Sequence, residues 1–152
     1  RFKPTVDRFA DRYNAVVPRF NSNYPTAGSE AFEAFSQDWT GDVNWVNAPW
    51  TKLSAVVTKL DGEPDAEAVV LAPYWPTQPW FAALKRMSDE VTLVHDPRVD
   101  GGALPDAAFI PGRYLQQAGL LPEPLRNRGW SIYAFHVPAG RRPPGDSQLT
   151  PK

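Results

Sequence analysis

Residues 44–50, "NWVNAPW", place an amide, a proline and an indole within four positions directly after a short apolar run. Asn47, Pro49 and Trp50 are the parts needed to hold a planar amine. An amide oxygen and a proline-flanked carbonyl accept hydrogen bonds from an exocyclic amino group, and an aromatic ring stacks on the base that carries it. Flipping a base costs a few kcal/mol, and stacking recovers about 1–3 kcal/mol. The same residues also read more plainly. Pro49 can open a helix and Trp50 can anchor it in the core.

Other residues offer less chemistry. "PYWPTQPW" (73–80) could be an aromatic shelf, with Trp75 in contact with a base or peptide, or a rigid loop with Trp80 docked on a sheet. Asp38 and Asp42 lie in a turn and read as solvated. His95 precedes Asp96, but no serine or cysteine elbow accompanies the pair, which argues against hydrolysis. His136 alternates with apolar neighbours and reads as a strand residue. Arg126, Arg128, Arg141 and Arg142 cluster late in the chain and offer a local basic face for nucleic acid or an acidic partner.

The totals narrow the classes. The chain has 152 residues, which suits one domain with a real core. A net charge of −1 is unlike a protein that neutralises many phosphates. Without cysteine there are no disulfides or thiolate metal sites, and a reducing intracellular compartment, nucleus or cytoplasm, is favoured. Two histidines make a zinc site improbable, so no metal is expected. No apolar run nears about 18 residues, so no membrane span is expected. Seventeen prolines predict short elements and many loops. The first residue, Arg1, reads as the start of a fragment or processed product.

The elements that must position these residues follow from periodicity. Strands are expected near 4–10, 31–35, 43–47, 66–75, 91–95 and within 129–140. Residues 21–30 are dense in turn formers and read as loop. Leu53, Val56, Val57 and Leu60 at helical spacing predict a helix over 50–61, closed by Gly62 and Pro64. A second helix is expected over 77–90, with Thr77 as cap and Phe81, Leu84 and Met87 facing the sheet. Residues 96–106 read as loop, 107–112 as a short strand and 113–119 as a helical turn or two. The alternation predicts a compact α/β domain over 1–140, with a mainly parallel sheet, flanking helices and a proline-rich tail at 141–152. In such sheets ligands bind beyond the carboxyl ends of the strands. Asp7, the 47–50 corner and residues 73–75 all sit at such ends.

Four pieces in order, "VDRFADRYNAVVPRFNS" (6–22), "SEAFEAFSQDW" (29–39), "NWVNAPWTKLSAVVTKL" (44–60) and "AVVLAPYWPTQPWFAAL" (68–84), resemble the phage-type adenine-N6 methyltransferase domain carried in retroelement polyproteins, notably algal ones, beyond the reverse transcriptase and ribonuclease H. The likeness covers roughly residues 5–95, with a looser echo in "GWSIYAFHVP". It implies a reduced Rossmann-type, three-layer fold. It implies that Asp7, Phe9 and Ala10 lie against S-adenosylmethionine and that Asn47, Pro49 and Trp50 form the catalytic corner. Two departures stand out. Ala48 replaces the motif's first proline, and Asp7 to Asn14 contains no glycine, although close approach to a cofactor favours one. The expectation is therefore a degenerate, non-catalytic domain without a cofactor, binding DNA, RNA or a larger protein or ribonucleoprotein assembly. The alternative is an active S-adenosylmethionine-dependent adenine-N6 methyltransferase.

Overall fold

A computed structural model describes residues 3–95 and 131–141. Expectations for 96–130 and 142–152, including the loop, strand and helical turn placed there and Arg126, Arg128 and Arg142, lie outside the described residues.

The described elements are β1 (Val6–Asp7), β2 (Asn21–Ser22), β3 (Ala31–Phe32), β4 (Val43–Val46), α1 (Leu53–Gly62), β5 (Glu67–Pro73), α2 (Pro79–Met87), β6 (Glu90–His95) and β7 (Ile132–Val137). Short 3-10 turns occupy Ala34–Ser36 and Trp50–Lys52. Five strands form one sheet in the order β1-β4-β5-β7-β6. β1, β4 and β5 pair in parallel, whereas β7 is antiparallel to both β5 and β6. The chain is thus α/β and the sheet is mostly parallel in strand direction, but mixed. The inserted antiparallel strand was not foreseen, because hydrophobic patterning carries no information about strand direction.

β2 and β3 form a small, separate parallel pair beside β1. Asp7 bridges Phe20 in parallel and donates its amide to the Arg19 carbonyl at 2.9 Å. On its other edge β1 meets β4, where Arg8 donates to the Trp45 carbonyl at 3.0 Å. The β2–β3 pair thus flanks β1 on the side away from β4. The chain leaves β1 in one direction and returns at β4 on its other side, so strand order reverses between them.

The helices form where the periodicity placed them. Leu53, Val56 and Leu60 are fully buried and Val57 packs beside them. α1 starts later than expected, since Pro49 first sets a 3-10 turn. α2 spans fewer residues than the expected 77–90. Gln78, not Thr77, is its N-cap, and Pro79 takes the first turn, where a missing amide hydrogen costs nothing. Both helices touch each other and cover one face of the sheet, where Val46, Ala68, Val70, Ala72, Phe135 and Val137 join a single core. Trp39 is buried in that core, and its indole nitrogen donates to the Ala34 carbonyl at 2.9 Å. Val69 and Leu71, on the opposite face of β5, are buried as well. That explains an apolar run without alternation.

Three local expectations need correction. β1 has two residues, not seven, because the chain turns away after Asp7. Over 31–35 only Ala31–Phe32 is strand, since Glu33 takes φ 60 and opens a 3-10 turn. Asn21–Ser22, inside a segment read as loop, is a buried strand. There a tertiary bond from the Arg8 guanidinium to Asn21 Oδ1, 2.8 Å, outweighs turn propensity.

A candidate rim at the strand ends

β1 and β4 are parallel neighbours, so their carboxyl ends share one rim. Asp7 is in register with Trp45. Asn47 lies two residues beyond Trp45, just past the end of β4, which places its Cα about 8 Å from that of Asp7 if the chain stays extended, given a rise near 3.3 Å per residue and strands about 4.8 Å apart. The reversal of strand order falls between these two strands, where open α/β sheets form a ligand crevice.

The β1 side of the rim is occupied by the protein's own chain. Asp7 is 2% exposed, and its carboxylate accepts amides from Phe9 (3.2 Å) and Val16 (3.0 Å). Burial pushes its pKa above the usual aspartate value, and the two amides pull it partly back. The segment between them folds over the strand end. Asp11 caps the amides of Tyr13 and Asn14, and the Asn14 side chain accepts the Asp11 amide. The Phe9 ring lies edge-on to Phe35 and Trp39, with centroids 5.2 and 6.2 Å away. Ala10 donates its amide to the Asn21 carbonyl.

Beneath the rim is a polar knot that sequence reading missed. Arg8 is 3% exposed and donates to Asn44 Oδ1 (2.6 Å), Asn21 Oδ1 (2.8 Å) and the Asp38 carbonyl (3.0 Å), with Asp42 at 3.4 Å. Burial lowers the Arg8 pKa against the opposing pull of Asp42. The Asn44 amide in turn donates to the carbonyls of Trp39, Asp42 and Glu67. One guanidinium therefore joins β1, β2, β4 and the 38–42 turn. Asp42 also accepts from Arg19 (2.7 Å) and Thr5 (2.9 Å), and Arg19 grips Glu30 (2.7 Å). The Asp38–Asp42 turn is thus a structural anchor. The available signal was slight: an arginine set between Asp7 and Phe9 at the end of an apolar strand, with Asn21 and Asn44 far from it in sequence.

At the β4 side, Asn47 is half-buried, Ala48 is buried and Pro49 is exposed. The Pro49 carbonyl accepts the Lys52 amide at 2.8 Å, closing the corner. Trp50 is half-buried against the core and meets Trp75 edge-on, with centroids 5.1 Å apart and planes at 81°. Adjacent parallel strands β4 and β5 therefore deliver two tryptophans to one place. Tyr74 beside them is 45% exposed and leans on Phe81 and Tyr133.

Arg141 lies away from this rim. Its guanidinium donates to the carbonyls of Leu60, Glu63, Ala66 and Pro138, and its amide to Pro64. It closes the carboxyl end of α1 and so belongs to the folded unit. His95 is buried, and His136 of β7, between β5 and β6, lies between two carboxylates at the strand ends opposite the rim. An open hollow of about 510 Å3 lies beyond the end of β3, lined among others by Phe32, Glu33, Ser36 and Gln37. Among the described residues, no group of three or more histidine, aspartate or glutamate side chains is placed to hold a metal ion, and no helix is long and apolar enough to cross a membrane.

No protein-family model matches this chain, and no curated protein or solved structure matches it.

Proposed function

We propose that this chain is a degenerate methyltransferase-like domain, of the kind carried by retroelement polyproteins, that works as a non-catalytic binding module. The observation that carries the proposal is the strand-end rim. An acid closes β1, an Asn-Ala-Pro-Trp corner closes its parallel neighbour β4, and strand order reverses between them. A β2–β3 pair flanking β1 on the side away from β4 accords with a reduced Rossmann-type origin. Loss of catalysis is supported by the β1 side, where Asp7 receives amides of its own loop and Phe9 packs on Phe35 and Trp39. Those contacts support a rim that does not take S-adenosylmethionine. The rival reading, an active adenine-N6 methyltransferase, draws on the surviving corner. There Asn47 and the carbonyl of residue 48 would accept an amino group, and Trp50 would face the base.

The partner is nucleic acid or a protein assembly. Arg8, Arg19 and Arg141 are engaged within the fold, and the net charge is −1, which favours a protein partner. The test is a titration of the full chain with single-stranded and duplex oligonucleotides at low and at physiological salt, read by tryptophan fluorescence. The protein-assembly version predicts no binding at either salt. Saturable binding at low salt that weakens steeply with added salt overturns it in favour of nucleic acid.

A further inference from the structure

His136 lies on the face of the sheet opposite α1 and α2, at the strand ends away from the rim. Its ring is 8% exposed and touches a carboxylate on each nitrogen. Nε2 is 2.6 Å from Glu67 Oε2, and Nδ1 is 2.6 Å from Asp89 Oδ1. Glu67 begins β5, and Asp89 forms the turn between α2 and β6. The carboxylates approach opposite sides of the ring, so they do not converge on a common metal ion. Neither contact involves a hydroxyl or thiol that the ring could activate. Among the described residues, the charged groups facing the imidazole include Glu67 from β5 and Asp89 from the turn, and Glu90 of β6 shares its register position.

We propose that His136 is a pH-operated clasp: protonated, it ties the start of β5 to the α2–β6 turn, and neutral, it lets that turn go. The reason is proton arithmetic. An imidazolium donates from both nitrogens, whereas neutral imidazole donates from one and presents a lone pair at the other. A lone pair facing a carboxylate at hydrogen-bond distance is repulsive. Asp89 leaves, because its side chain is 54% exposed against 30% for Glu67, so water replaces its bond at less cost. The Asp89 amide still donates to the His136 carbonyl at 3.0 Å, so the turn loosens without detaching. What loosens is the root of β6, an edge strand whose Val91, Leu93 and Val94 are exposed. Burial lowers the ring's pKa, but the bonds to Glu67 and Asp89 raise it by more, and the net shift is upward from 6.5. A raised folded value means the clasp contributes its full stability below about 6.5 and loses it as pH rises through the folded value.

The test follows the full chain by NMR. With two histidines in the sequence, an H95Q variant assigns the imidazole signals. The His136 ring is expected to titrate above 6.5, and protection of the β6 amides against hydrogen exchange is expected to fall with it. The fall is about tenfold for each unit by which the pKa is raised, relative to the β5 amides Val69 to Leu71. Asp89→Asn removes most of that fall, since an amide can serve either form of the ring. A His136 midpoint at or below 6.5, or β6 protection that tracks β5 at every pH, overturns the proposal. The wild-type measurement decides the matter even if the variant fails to fold.

Discussion

Asp7 is the residue on which the proposed loss of catalysis turns. The proposed reading puts a cofactor-seating acid at the end of β1, yet the oxygens of Asp7 are held by the amides of Phe9 and Val16. Replacing it with alanine leaves two part-buried amides without an acceptor. Asp7→Ala is therefore expected to lower the unfolding free energy by about 2–4 kcal/mol, measured by urea denaturation. Little or no change would mean that the 9–16 loop does not depend on this carboxylate. Residue by residue, the sequence exposed Asp7 and the 47–50 corner because their types are unusual at strand ends. It hid Arg8. A charged side chain next to an apolar strand normally reads as surface, and its burial depends on Asn21, Asn44 and Asp42 arriving from other parts of the chain.

At the scale of elements, helical periodicity located α1 and α2, but their limits depend on contacts. Pro49 delays α1 by a 3-10 turn, and Arg141 seals its far end from 81 residues away. The planar fork of arginine reaches four carbonyls at once, which a lysine ammonium on a single stem does not. Arg141→Lys is expected to cost about 1.5–3 kcal/mol and to raise hydrogen exchange in the last turn of α1. Unchanged exchange there would show that the seal is dispensable. Strand direction was the least legible feature. β5 announced burial on both faces through its apolar run, but nothing in "SIYAFHV" distinguished an antiparallel insertion from a parallel strand. β2 was hidden for the opposite reason, because Asn21 and Ser22 are turn formers held in a strand by tertiary bonds.

For the whole molecule, charge sets the shape of the stability profile. Arg19 holds both Asp42 and Glu30 below their usual carboxylate values. Depressed folded values mean that this stability is present above the ordinary 3.8 and 4.5 and is lost as pH falls. Arg19→Ala is expected to flatten the acid limb of a thermal-midpoint profile while leaving the limb above 6.5 to His136. The effect is modest, since the Arg19 side chain is 45% exposed. An acid limb of unchanged slope would assign it to other carboxylates. The larger question is whether the rim admits a cofactor, and calorimetry of the full chain with S-adenosylmethionine answers it most directly. A rim closed by its own loop predicts no saturable heat. Saturable binding that Asp7→Ala weakens would contradict the account and restore the catalytic reading of Asn47 and Trp50.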